Sequence, residues 1–192
     1  MTPFLFGKLP SHGDFVARGL DPAVEIAWDA WAGAEIEDAR TRLGDDFEAA
    51  HDAAPPWGFV SGPGPLGETW RCGVAAASVD SSGRRYLVVA GQDGLTEAEA
   101  VFAGFSGALA AEGAIRRVLI EGLDADATIG LLSAEGALPE ALAAAPVLQA
   151  RAEAGVWWAF GDVVPPVASD SLPPGFIADS LSRIAILLKD AA

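Results

Sequence analysis

Short apolar runs bounded by Gly or Pro alternate along this chain with stretches in which apolar residues recur every three or four positions. The pattern predicts strands interleaved with helices. Phe4-Leu5-Phe6, held between Pro3 and Gly7, predicts an opening strand. Asp21-Pro22 then predicts a helix start, with an acidic cap and proline at the first helical position. Val24, Trp28 and Trp31 place both tryptophans on one side of that helix. Glu35, Glu37, Asp38, Arg40 and Arg42 mark a solvated face further along, and Gly44 ends it. Asp45 to Ala54 has room for one more helical turn before Pro55-Pro56 stops it.

The centre reads as sheet. Trp57-Gly58-Phe59-Val60 is strand-like, and Gly62-Pro63-Gly64-Pro65 is a loop. Thr69 to Val79 and Arg85 to Ala90 are two further strands, joined by the turn residues Asp80-Ser81-Ser82-Gly83 and so paired antiparallel. Thr96 and Glu99 form a capping box. Behind it, Val101, Phe102, Phe105 and Leu109 predict one helical stripe, with Gly104 and Gly107 permitting close approach to the sheet. Ile115, Val118 and Leu119 continue the helix to Gly122. Asp124 to Arg151 is Ala-rich and helix-prone but broken by Gly136, Pro139 and Pro146. Val156 to Phe160 is a buried strand, and Val163 to Ala168 an edge strand, since Pro165-Pro166 cannot sit inside a sheet. A closing helix from Pro174 carries Ile177, Leu181, Ile184 and Leu188 on one stripe. This order implies a single α/β domain over residues 1–192, a mixed, partly antiparallel sheet covered by helices.

Composition narrows the function. The chain has 192 residues and a net charge of −15, which repels nucleic acid and anionic membrane surfaces and favours basic protein patches. Its one cysteine, Cys72, excludes an intramolecular disulfide and reads as a small core residue. The N-terminus lacks the basic and apolar regions of a signal peptide, and no apolar run reaches the length of a bilayer span, so a cytoplasmic location is expected. The six tryptophans sit at positions that amphipathic elements already explain as core.

Two polar knots are candidates for chemistry. The first is Gly7-Lys8-Leu9-Pro10-Ser11-His12-Gly13-Asp14-Phe15-Val16, followed by Arg18-Gly19-Leu20. Its Gly7-Lys8 is no phosphate-binding loop, because Leu9-Pro10 replaces the required Ser/Thr and removes a donor. His12 and Asp14 could serve Ser78 or Cys72 as nucleophile; alternatively, Asp14 caps a turn or pairs with Lys8. The second knot is Ser78-Val79-Asp80-Ser81-Ser82-Gly83-Arg84-Arg85. Either it is a hairpin turn, with Asp80 bonding the backbone and Gly83 at positive φ, or Arg84 or Arg85 reaches Asp14 and fixes the first loop. The two histidines, His12 and His51, have no metal-ligand spacing, and His51 lies in a polar, solvated stretch. No cofactor or metal is implied.

These blocks together resemble the TagF/ImpM family of bacterial type VI secretion. The resemblance rests on Gly7-Lys8-Leu9-Pro10, Gly13-Asp14-Phe15-Val16, Arg18-Gly19-Leu20, Trp28-Asp29-x-Trp31, Trp57-x-Phe59, Trp70-x-x-Gly73-Val74, Ser78-Val79-Asp80-x-x-Gly83-Arg84 and Trp157-Trp158. It departs at Ala32, at Tyr86-Leu87-Val88 and at Gly155, where the family tends to carry Leu, an aromatic-Pro-Leu and Ser. The resemblance implies a three-layer α/β/α sandwich. It also implies a non-enzymatic cytoplasmic accessory protein, a post-translational repressor that binds a forkhead-associated-domain scaffold. Lys8, Pro10, Gly13, Asp14, Phe15, Arg18, Trp28, Trp31, Ser78, Asp80, Gly83 and Arg84 would be its signature-loop or partner-binding residues. The competing reading is a small hydrolase or transferase on Asp14, His12 and Arg84. An open cleft lined by these groups favours the enzyme; buried, mutually paired groups favour a scaffold. The expectation here is a structural Asp14, with Lys8 and Arg18 at least partly accessible.

Overall fold

A computed structural model describes residues 1–135, 155–161, 165–169 and 172–191. The Ala-rich stretch beyond Glu135 and the expected strand start at Val163 lie outside the described residues. Seven strands, β1 (Thr2–Gly7), β2 (Val16–Arg18), β3 (Trp57–Ser61), β4 (Trp70–Val79), β5 (Arg85–Leu95), β6 (Gly155–Ala159) and β7 (Val167–Ser169), form one sheet in the order β2-β1-β5-β4-β3-β6-β7. The helices are α1 (Pro22–Leu43), α2 (Phe47–Asp52), α3 (Glu97–Glu121), α4 (Ala125–Glu135) and α5 (Phe176–Asp190).

Every described strand pairing is antiparallel, not mixed as expected. The reason is connectivity. β1–β2, β3–β4, β4–β5 and β6–β7 are neighbours both in sequence and in space, and strands joined that directly run antiparallel. The helical excursions instead join distant strands, β2 to β3 and β5 to β6, so no strand–helix–strand unit places two parallel neighbours side by side.

Helices lie on both faces. Phe4, Phe6, Trp57, Phe59, Leu87, Val89 and Trp157 meet α1, α2 and α5 on one face. Leu5, Val74, Ala76, Val88 and Ala90 meet α3 and α4 on the other. This is the alternation of a sheet buried on both sides. Trp28 is fully buried at the centre of the first face, 5.5 Å from Phe59 and 6.2 Å from Trp157 by ring centroids. Helix α3 carries the expected capping box and ends at Gly122 in the left-handed region. Its buried stripe is not the expected Phe102 and Leu109, which are 69% and 40% exposed, but the small residues Ala100, Gly104, Ala108 and Ala111. A Cβ on Gly104 would sit 2.7 Å from Val60 Cγ2, so close approach to the sheet selects the small side of the helix. By length and composition alone α3 could cross a membrane, contrary to the sequence reading; here it packs against the sheet.

Two polar residues also depart from expectation. Glu35 is 2% exposed instead of lying on a solvated face, and His51 is 1% exposed instead of solvated. Glu35 reaches from α1 to the first turn of α5. Its Oε1 accepts from Gly175 N–H at 2.5 Å, and its Oε2 accepts from Ile177 and Ala178 N–H at 2.8 and 3.2 Å. Helix α5 starts after Gly175 with no side-chain cap of its own, so its orphan donors take a carboxylate from another helix.

Candidate functional site

The corner where β1 leaves the sheet is built around Asp80. Strand β1 ends at Gly7, whose φ of 119° is open only to glycine and whose added Cβ would meet Leu87 O at 2.2 Å. The ladder carries one residue further, Lys8 N–H donating to Leu87 O at 3.0 Å. From there the Lys8 side chain turns inward, its Nζ 2.8 Å from Asp80 Oδ2, with both side chains shielded from solvent. Asp80 opens the turn after β4. Its Oδ1 accepts from the Ser82 and Arg84 N–H groups at 2.9 and 3.0 Å, and its Oδ2 accepts additionally from Arg84 Nε at 2.5 Å. The turn closes through Gly83 N–H to Asp80 O at 2.9 Å, with Gly83 at φ 78°.

This turn clamps the signature loop. Arg84 Nη2 donates to Gly13 O at 2.6 Å, and Ser81 N–H donates to His12 O at 2.9 Å. The Ser78 hydroxyl donates to Lys8 O at 2.7 Å. Four donor contacts with the Asp80 carboxylate, led by Lys8, hold its pKa well below the usual carboxylate range although the side chain is solvent-inaccessible. Phe15 caps the assembly, 4.9 Å edge-on to Tyr86 and 5.0 Å below Lys8 Nζ, and remains 44% exposed.

The structure sorts the candidate residues. Lys8, Ser78 and Asp80 are buried structural members, so Lys8 is not partly accessible as expected. Pro10 is half-buried, and Gly13, Asp14, Phe15, Arg18, Gly83 and Arg84 are exposed around them. Arg18 makes a surface pair with Asp126 at 3.0 Å. Trp28 and Trp31 lie in the core, away from this surface.

Asp14 is not the structural acid. It is exposed, and among the described residues its Oδ1 accepts only from the adjacent Phe15 N–H, at 2.8 Å. The residue that pairs with Lys8 is Asp80, because Gly7 aims Lys8 across β5 toward the turn after β4. Among the described residues, no hydrogen bond or ion pair joins Asp14 to His12 or Arg84. The His12 ring instead meets the Ser11 hydroxyl at 2.9 Å. Asp14, His12 and Arg84 are thus not joined in a hydrogen-bonded relay among the described residues. Cys72 is fully buried, with its thiol pushed up to about 12 chiefly by burial, which disfavours the thiolate that a nucleophile needs.

Beside the corner, His51 and Arg85 take roles that differ from the sequence reading, which placed His51 in solvent and offered Asp14 as a partner for Arg85. His51 Nε2 donates to Tyr86 O at 2.8 Å, and burial lowers its pKa against the pull of Tyr86 and Asp52. Arg85 bridges Asp52 and Glu48, at 2.7 and 3.0 Å. A neutral buried histidine binds fewer protons than its unfolded counterpart. The folded protein thus loses stability as pH falls below about 6.5 toward the depressed folded pKa. Melting temperature is expected to drop between pH 7.5 and 5, and His51→Gln should flatten that slope. An equal slope in wild type and variant would contradict this.

The family model of the TagF N-terminal domain, type VI secretion system-associated, matches residues 5–135. Among solved structures, the chain is similar to PA0076 from Pseudomonas aeruginosa PAO1, a crystal structure at 2.05 Å resolution. The two share 23% sequence identity and a TM-score of 0.68 over 96% of this chain and 94% of that one, a likeness of fold. A comparison with curated proteins gives no match.

Proposed function

From the membership of this chain in the TagF N-terminal domain family, associated with type VI secretion, we propose that it is a non-enzymatic regulator of that system. It acts in the cytoplasm and represses secretion by binding a forkhead-associated-domain scaffold protein. The observation that carries this reading is the state of the corner's charges. Lys8, Asp80 and Arg84 are engaged with one another and with the loop backbone, and the surface they support presents Asp14, Phe15 and Arg18. A half-exposed aromatic on a rigid support, flanked by charges of both signs, suits protein recognition. Rigidity lowers the ordering cost of association.

Purified scaffold protein from the same secretion system should bind the wild-type chain. Arg18→Glu and Phe15→Ser should each bind about tenfold or more weakly, the loss expected of interface anchors. Arg18→Glu should leave the melting temperature nearly unchanged, since its pair with Asp126 is exposed. Overproduction of the wild-type chain should lower secretion, and overproduction of Arg18→Glu should lower it less. Undetectable scaffold binding, or equal binding by all three proteins, would defeat the reading.

A further inference from the structure

Strand β4 outruns its partner. Strand β3 pairs with it only from Ser61↔Arg71 to Trp57↔Ala75. The residues preceding Trp57 are Pro55 and Pro56, which have no N–H to extend a ladder and turn the chain away to α2. On its other side β4 stays paired with β5 through Ala76↔Val88, Ala77↔Leu87, Ser78↔Tyr86 and Val79↔Arg85. Among the described residues, 76–79 thus form a local strand edge in the middle of a sheet.

The direction of the main-chain groups follows from one bond. Asp80 N–H donates to Arg84 O across the β4–β5 ladder. Antiparallel ladders alternate, so Ser78 and Ala76 also face β5, while Ala77 and Val79 direct their N–H and C=O groups to the open side. The nearest bond there is a 3.5 Å contact from the Ser78 hydroxyl to Val79 O, and that hydroxyl's shorter bond is to Lys8 O. Ala77 and Val79 are half-exposed, in contrast to the buried strand interior.

A groove runs along this edge. One hollow of about 290 Å³ lies between Ala76 and Ala77 on one side and Ile115 and Leu119 of α3 on the other. A second, of about 390 Å³, continues past Ser78 and Val79 to Pro10 of the signature loop, walled by His51 and Asp52 of α2. The two share Ala54, Ala77 and Leu119 and therefore meet.

We propose that this edge accepts an extended segment of a partner protein as an added strand. Main-chain donors and acceptors along residues 77–79 supply its pairing, the mode by which exposed sheet edges take up peptides. The groove specifies the side chains. Alternate residues of the added strand would point toward Ile115 and Leu119 and be apolar; those between them would point toward Asp52 and be basic. Asp52 and Glu48 share the single cation Arg85, which leaves a net negative charge beside the groove, while Glu112 and Arg116 on its α3 wall pair with each other; with −15 on the chain as a whole, a basic segment meets complementary charge. The proposal does not depend on the identity of the scaffold protein proposed above.

The test uses the full chain and a displayed library of random short peptides, without the scaffold. Selection should enrich peptides that alternate apolar residues with Lys or Arg. Bound peptide should slow hydrogen exchange of the Ala77 and Val79 amides, read by NMR, by about tenfold or more. Ala77→Pro removes an outward donor and spares the β4–β5 ladder, so it should weaken binding about tenfold. Ile120→Lys alters a 78%-exposed residue at the groove mouth and should also weaken binding, which keeps the test readable if the proline variant folds poorly. The proposal is overturned by absence of enrichment. It is equally overturned by selected peptides that leave both amides unprotected, or that bind Ile120→Lys and a folded Ala77→Pro as tightly as wild type. Protection of the same amides in the free protein through dimerisation would assign the edge to a second copy and likewise overturn it. Loss of scaffold binding with the peptide results intact would count against the proposed function alone.

Discussion

Replacing Glu35 with Ala is expected to lower stability by about 3–5 kcal/mol, the scale for stripping a buried carboxylate from its hydrogen-bond partners. Three main-chain donors at the start of α5 lose their acceptor at once, in a part of the core that water does not reach freely. Nothing local replaces it, because Gly175 stands at the cap position. Neighbouring groups cannot compensate either: Trp31 Nε1 donates to Pro173 O at 3.1 Å and offers no acceptor. For a chain of this size the melting temperature should fall by roughly 10 °C. Hydrogen exchange should rise first in Phe176–Asp190. Glu35→Gln keeps one carbonyl oxygen and should recover part of the loss. Burial raises the Glu35 pKa against the pull of the three N–H groups. Its contribution to stability therefore grows as pH falls from the raised folded value toward about 4.5, opposite to the trend at Asp80. An Ala variant that melts with wild type would remove the capping argument.

Replacing Asp80 with Ala is expected to lower the melting temperature by a comparable amount, roughly 10 °C or more, and to free the signature loop. The loss exceeds one ion pair. Lys8 would be left buried without its partner, the Ser82 and Arg84 N–H groups would lose their acceptor, and Arg84 would lose the anchor from which it reaches Gly13. The double variant Asp80→Ala/Lys8→Met should be more stable than Asp80→Ala alone, since it removes the stranded cation. On the function proposed above, scaffold binding should be weaker than wild type in both, because Arg84 no longer clamps the loop. The depressed pKa of Asp80 means that its stabilisation is complete above roughly pH 4 and is lost as pH falls through the folded value. Wild type should therefore show an acid limb below pH 4 that Asp80→Ala lacks. An unchanged melting temperature in Asp80→Ala, or a double variant worse than the single one, would contradict the lock.

Much of the frame was legible because it is written locally. The Thr96–Glu99 capping box, Pro22 after Asp21, and the Asp80–Gly83 turn each depend on residues within one or two turns of chain. Pro165-Pro166 correctly pointed to an edge, where β7 lies. What failed depends on distance. Glu35 looks like one more surface charge on α1 until α5 arrives 140 positions later. His51 sits among polar neighbours in sequence but against Phe47 and Tyr86 O in space. Strand β2 is three residues long and carries no periodicity to read. For Lys8 the sequence offers the nearest acid, Asp14, as one possible partner, whereas its partner lies 72 positions on, a choice made by sheet register and invisible to spacing.

That separation has a consequence for when the protein can act. Lys8 and Asp80 come within reach only after β1 has zipped onto β5 and the β4–β5 hairpin has closed. A nascent chain halted before Leu95, or a proteolytic stub ending near Leu43, would carry the whole signature loop in its letters and none of its shape. The same contact that stiffens the corner thereby proofreads it: the loop takes its shape only in a molecule whose sheet is complete.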